Sequence, residues 1–256
     1  SLERGEMRLF YQPRVDLKTG KLTGAEALIR WIHPTKGIIP PNEFIPIAEE
    51  TGVIIQITRW VLSQACLQNK IWQKKGFPHI NVSVNVSARD FRDTDILETI
   101  IETVQQTKLD PKYLDIELTE SVLMRNVDIA TSTLSKIKEM GIRISIDDFG
   151  TGYSSLSYLK RFPIDVVKID RSFVNDITVN ADDAAIAGAV VGMSHAMNMR
   201  VVAEGVETTD QLNHLLEIGC DEMQGYLVSK PVPANEFEEF LKKHTILDID
   251  LNEEAA

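Results

Sequence analysis

Ile80-Asn81-Val82-Ser83-Val84-Asn85-Val86 alternates apolar and polar side chains with a period of two. As a strand it turns Ile80, Val82, Val84 and Val86 to one face and Asn81, Ser83 and Asn85 to the other. The apolar face is expected to meet helices, and the polar face a lumen. Upstream, Leu9–Leu17 and Leu22–Trp31 read as strands joined by the short turn Lys18-Thr19-Gly20-Lys21, an antiparallel hairpin. Downstream, strand-like runs at 114–118, 142–147, 164–169, 200–204 and 222–227 alternate with helical patterns at 93–107, 127–139, 182–198, 208–218 and 234–243, and a further helix is expected at 55–75. Gly76, Gly141 and Gly219 stand where helices should end, and Asn42 and Ser87 are candidate N-caps. Eight strands with crossover helices predict a (β/α)8, TIM-like barrel whose first strand runs antiparallel to the rest. The barrel is expected over 1–245, followed by an acidic, frayed tail over 246–256.

The 256 residues are 43% hydrophobic and 25% charged, enough to bury one full core. A net charge of -11 argues against binding DNA or RNA polymers or an anionic membrane, which need a basic face. Cys66 and Cys220 lack metal-ligand spacing and read as reduced thiols, so a cytoplasmic domain is expected. The longest small and apolar run, Ile186 to Met193, is far short of a membrane span. The opening at Ser1 suggests an excised domain whose parent could be membrane-anchored.

Such barrels carry their chemistry at strand C-termini. Asn85, Glu117, Asp147, Lys168, Glu204 and Gln224 end six successive runs, so one converging site is the simplest reading. Asp147 and Asp148 lie side by side before the glycine-rich turn Phe149-Gly150-Thr151-Gly152-Tyr153. Glu26, Asn85, Glu117 and Asp147 are all oxygen donors, which suit Mg2+ or Mn2+ better than zinc. Asp148 and Glu204 could hold a second cation with Asp147 bridging, at the roughly 3.5–4 Å spacing of two-metal sites. Lys168 would then be a lone cation in an acidic ring, suited to stabilise an activated water or the charge developing on phosphorus. Any single strand-end acid is more often a cap or turn residue than a ligand; the set is harder to explain that way. Asp148-Phe149-Gly150 does not indicate a kinase, because neither a Gly-rich loop nor a His-Arg-Asp loop accompanies it. His33 and His195 read as turn and packing residues, and Trp31, Trp60 and Trp72 as core.

Glu26-Ala27-Leu28, within Gly24 to Trp31, resembles the signature of EAL domains, the bacterial phosphodiesterases that open cyclic di-GMP. The resemblance extends from Tyr11-Gln12-Pro13 to Ser229-Lys230-Pro231. It includes Asn85-Val86-Ser87, Glu117-Leu118-Thr119-Glu120, Asp147 to Gly152, Lys168-Ile169-Asp170, Ala203 to Glu207 and Gln224-Gly225-Tyr226. It implies metal-dependent hydrolysis of cyclic di-GMP to linear pGpG, in second-messenger signalling of the kind that sets biofilm formation. Glu26, Asn85, Glu117 and Asp147 match the family's first metal site; Asp147, Asp148 and Glu204 match the second, with Mg2+ or Mn2+ as cofactors. Ca2+, with its looser shell, is expected to support turnover poorly.

By the same resemblance Lys168, Glu204 and Asp148 are the catalytic candidates, with Glu204 either a second-metal ligand or a general base. Gln12 and Arg30 match substrate-binding positions for guanine and phosphate. Glu120 is expected to hold the loop from Asp148 to Ser155, and Glu207 and Gln224 to support the site. A homodimer and fusion to sensor or GGDEF-type domains are the implied partners. Arg14 departs from a position where the family commonly carries an apolar residue, which could alter the guanine-side pocket. The competing reading is a catalytically silent cyclic di-GMP receptor or protein-interaction module. Degenerate members usually lose a ligand acid or the lysine, and here each is present.

Overall fold

In the computed structural model, residue 2 and residues 4–93, 96–124, 126–150 and 159–247 are described. Of the expected loop from Asp148 to Ser155, residues 151–155 lie outside the described residues, and so do residues 248–256 of the expected tail over 246–256. The chain opens with the hairpin β1 (Met7–Asp16) and β2 (Leu22–His33), with a short β3 (Gly37–Ile39) on the outer edge of β2. Next come α1 (Pro41–Thr51), α2 (Ile54–Lys74), β4 (Asn81–Asn85), α3 (Ala88–Asp93), α4 (Ile96–Thr107), β5 (Leu114–Thr119), α5 (Glu120–Met124), α6 (Val127–Glu139) and β6 (Arg143–Phe149). The last part holds β7 (Val166–Ile169), α7 (Arg171–Asn175), α8 (Ala181–Ala196), β8 (Arg200–Glu204), α9 (Thr209–Glu217), β9 (Glu222–Gln224), β10 (Val232–Pro233) and α10 (Ala234–Lys243).

Strands β2, β4, β5, β6, β7, β8 and β9 pair in parallel, and β1 closes the barrel by pairing antiparallel with both β2 and β9. The expected barrel with a reversed first strand is the one found. The reversal follows from a turn too short for a crossover helix, and it puts the start of β1 at the end where the other strands finish: Met7 pairs with Trp31, while Asp16 pairs with Glu222. At the opposite end the backbone N–H groups of Ile246 and Leu247 donate to the Gly20 carbonyl. A Cβ on Gly20, whose φ is +66°, would lie 1.9 Å from the Leu247 carbonyl oxygen, so only glycine allows this contact.

Between barrel and helices, the outer face of β4 packs as its alternation predicts, with Val82 and Val84 fully buried. Tyr11, Trp72 and Phe237 form an aromatic cluster under α2 and α10; the Tyr11 and Trp72 rings meet edge-on at 4.8 Å. Gly76, Gly141 and Gly219 follow α2, α6 and α9 with φ of +83°, +85° and +78°, as expected of left-handed helix ends. Ser87 caps α3: its Oγ accepts from the Asp90 N–H at 3.3 Å while Asp90 accepts from the Ser87 N–H. Asn42 is not a cap. It lies inside α1, whose N-cap is Pro40 and whose first residue is Pro41, a ring already fixed near helical φ. Of the short helices, α1 and α3 are anticipated in the sequence only through the cap candidates Asn42 and Ser87, and α5 and α7 have no counterpart in the sequence reading. Each is too brief, or too weakly periodic, to stand out from a loop.

Candidate active site

Inward-facing side chains stack in two layers. The lower layer holds Arg14, Ser83, Asp115, Ser145 and Glu222, all at most 2% exposed. Arg14 reaches Asp115 at 3.3 Å and Glu222 at 2.9 Å, and Ser145 donates to Asp115 at 2.7 Å. Gly24 leaves the space the guanidinium fills, since a Cβ there would stand 2.9 Å from Arg14 Nη2. Burial disfavours the charged form, yet Glu222 and Asp115 hold the Arg14 pKa above its usual value. Arg14 therefore belongs to the barrel floor. The sequence reading overlooked this layer, although its signal was present: Arg14, Asp115 and Glu222 each lie two residues from Gln12, Glu117 and Gln224, and so share their faces.

The upper layer is the acidic ring. Lys168, the third of the four residues of β7, is fully buried, with Nζ 2.6 Å from Glu204, 2.9 Å from Glu117, 3.1 Å from Asp147 and 3.6 Å from Glu26. Neighbouring strands in register supply these acids, since Asn85 pairs with Glu117 and Thr119 with Asp147. Glu26 is fixed from both sides: Asn85 donates to one oxygen at 2.7 Å and Gln224 to the other at 2.5 Å. Gln224 also donates to Gln12 at 3.0 Å, and Gln12 to the Ser229 carbonyl at 3.1 Å.

Asp147 and Asp148 sit where the register of β6 against β7 shifts, between Ile146 and Phe149. Such a bulge aims two consecutive side chains where a regular strand would aim one. Asp148 takes φ +53°, a strained conformation for a residue with a Cβ, and its N–H donates to Asp147 at 3.1 Å.

The electrostatics are those of too many acids for one lysine. Burial disfavours the Lys168 charge, but Asp147, Glu117, Glu204 and Glu26 together hold its pKa well above the usual value. Burial and neighbouring acids push Glu117 well up, Glu204 to about 8 and Asp148 to about 6. Glu26 goes the other way: burial opposes its ionisation, but Lys168, Gln224 and Asn85 bring its pKa below the usual value.

The donor set fits divalent cations. Glu26, Glu117 and Asp147 each offer a carboxylate oxygen within 4.8 Å of the others, and so do Asp147, Asp148 and Glu204. Glu117 Oε1 is buried without a hydrogen-bond partner among the described residues, a cost that a cation would remove.

The remaining expected residues are placed less centrally. Arg30 is half-buried beside the ring of Phe10, 5.9 Å from its centroid, and donates to the Ile29 carbonyl. Glu120 is buried at the start of α5, one oxygen without a partner among the described residues. Glu207 is exposed, and its backbone N–H donates to Gln211 in the cap of α9. Beside Asn85 a cavity of about 510 Å3 opens between β2, α1 and α2, lined by Leu28, Pro41, Ile45, Glu49 and Thr119 among others.

Comparison with known proteins places this arrangement among relatives. The profile of the family described as EAL domain matches residues 1–231. The signaling protein YkoW of Bacillus subtilis is 46% identical over 94% of this chain and 30% of its own length. The bifunctional diguanylate cyclase/cyclic di-GMP phosphodiesterase MucR of Pseudomonas aeruginosa is 44% identical over 92% of this chain and 34% of its own. The chain thus spans about a third of the length of these curated relatives. A solved structure described as the PaMucR phosphodiesterase in complex with c-di-GMP superposes with a TM-score of 0.89, at 44% identity over 92% of this chain and 96% of that one.

Proposed function

This chain belongs to the EAL domain family, and from that premise we propose that it hydrolyses cyclic di-GMP to linear pGpG. The observation that carries the reading is the ring of Glu26, Glu117, Asp147 and Glu204 around Lys168, with Asp148 joining Asp147 and Glu204 in a second acidic group. Two Mg2+ or Mn2+ ions, held by Glu26, Asn85, Glu117 and Asp147 and by Asp147, Asp148 and Glu204, would neutralise the acids and lower the pKa of a water.

The chain's own groups do the rest. Glu26 is pre-aimed by Asn85 and Gln224, so little is lost in ordering it. Glu204 is either a ligand of the second ion or, where it is not so engaged and is deprotonated, the group that accepts a proton from the attacking water. Lys168 Nζ keeps its proton and donates toward the charge that develops as the water oxygen bonds to phosphorus and the ribose 3′ oxygen leaves. Gln12, in the middle of β1, and Arg30, toward the open end of β2, orient the guanine and the phosphate. Glu120 would steady the loop that follows Asp148. A homodimer and attached sensory or GGDEF-type domains are part of the same reading.

Incubating the purified chain with cyclic di-GMP and Mg2+ or Mn2+, with and without chelator, tests it. Formation of pGpG only with metal is expected. Tight binding of cyclic di-GMP with no product would favour a silent receptor.

A further inference from the structure

Helix α1 forms one wall of the cavity beside Asn85, yet it is weakly anchored. Of its 11 residues only Phe44 and Ala48 are buried, no side chain caps its N-terminus, and Pro46 lies in its interior. Proline there removes the N–H that would bond to the Asn42 carbonyl, so the helix lacks one rung of its own ladder.

Its C-terminus is held by another element. Arg89, four residues after Asn85, donates through Nη1 to the Glu50 carbonyl at 2.9 Å and to the Glu49 carbonyl. These are terminal carbonyls of α1, where the helix dipole favours a cation. Gly52 makes the approach possible: its φ is +85°, and a Cβ there would stand 3.0 Å from Arg89 Nη2. The next residue, Asp90, is 1% exposed and accepts from Thr58 on α2 at 2.8 Å and from Ser87 at 2.6 Å. Helix α3 is therefore fastened to α2 through Asp90, and it grips α1 through Arg89.

We propose that Arg89 is a positioning residue that holds α1 against the cavity beside Asn85 and so sets the shape of that cavity, which on the proposed hydrolase reading receives the substrate. The wall and the Asn85 strand end are then a single unit, because the segment Asn85 to Asp90 carries both the ligand side chain and the clamp. This assignment rests on the proposed hydrolase reading for its kinetic consequence, but the clamp itself does not depend on it.

The test compares the wild-type chain with Arg89→Gln and Arg89→Lys, in steady-state hydrolysis of cyclic di-GMP with Mg2+ and in amide hydrogen exchange of the free protein. Losing two charge-assisted bonds to α1 should raise KM about tenfold in Arg89→Gln and leave kcat within about twofold. Exchange over residues 41–51 should quicken while β4, β5 and β6 keep their protection, and Arg89→Lys should recover most of both effects. A fall in kcat at constant KM would overturn the proposal, as would unchanged exchange over 41–51. Faster exchange throughout the barrel, equal in both variants, would also overturn it. If the wild-type chain forms no pGpG, the hydrolase reading fails by itself; the exchange comparison and the affinity for cyclic di-GMP still decide the clamp.

Discussion

Lys168 Nζ lies 2.6 Å from Glu204 Oε1, the shortest of four carboxylate contacts around a fully buried lysine. In the metal-free protein the ammonium is the cation that lets the acids stand so close together. Lys168→Met should therefore do two separable things. It should lower kcat by about two to three orders of magnitude by removing the donor to the developing charge. It should also make the metal-free variant melt well below wild type, with Mg2+ restoring more of the melting temperature than it does in the parent. Retention of a tenth of the wild-type kcat would exclude a direct role for the lysine.

Gln224 and Glu26 give a finer test. Glu26→Ala removes a carboxylate from the ring and should abolish turnover while circular dichroism shows an intact fold. Gln224→Leu keeps the carboxylate but frees one of its oxygens. Loss of such a supporting hydrogen bond is expected to weaken metal affinity or activity by about 10- to 100-fold. Calorimetric titration with Mn2+ measures it, and an unchanged affinity would mean that Glu26 is aimed by other contacts.

Metal affinity should depend on pH with a definite sign. Burial and acidic neighbours place Glu204 at about 8 and Asp148 at about 6 without metal, so below these values a proton occupies the position a cation needs. Affinity for Mn2+ is expected to climb between about pH 5.5 and 8.5 and then level off, with protons released on binding. Stability of the metal-free protein should run the other way. A carboxyl whose folded pKa is raised binds more protons in the native than in the unfolded state, so stability present at low pH is lost as pH rises toward 8. Parallel thermal melts with chelator and with Mn2+ across this range would show diverging curves; curves that stay parallel would contradict the assignment.

Arg14 carries the last prediction. Its removal as Arg14→Met takes the cation from buried Asp115 and leaves Glu222 paired with the half-exposed Arg200 alone, at 3.2 Å. Breaking a buried pair from one side costs about 3–5 kcal/mol, which urea denaturation can resolve. A destabilisation under about 1 kcal/mol would mean that the acids take up protons or find other donors without strain.

The barrel was legible because its signals are periodic. The alternation through Ile80 to Val86, the glycines after α2, α6 and α9, and the short turn at Lys18 to Lys21 each have a direct structural counterpart. The strand-end acids could be picked out for the same reason, although their convergence on Lys168 depends on the register between strands, which one strand's sequence does not carry. The faces of Arg14, Asp115 and Glu222 could be read from their two-residue spacing to Gln12, Glu117 and Gln224, but that these three charges meet as partners depends on strand register and is not local. The extent of helix α1 was missed because Pro46 interrupts its pattern, and Asn42 was misplaced because the two prolines before it already start the helix. The clamp by Arg89 spans segments that are far apart in the chain, and no local pattern announces it.

The reversed first strand also determines how mechanical load would reach the chemistry. Tension on the chain ahead of Met7 would enter at the rim where the acids gather, and only five residues of β1 separate that point from Gln12, which touches Gln224 and through it Glu26. Tension on the chain beyond Leu247 would instead be taken up at Gly20, on the far side of the Arg14 floor. The two directions of pull are thus inequivalent: one works on the Gln12–Gln224–Glu26 hydrogen bonds with a short lever, and the other is absorbed by the base of the barrel.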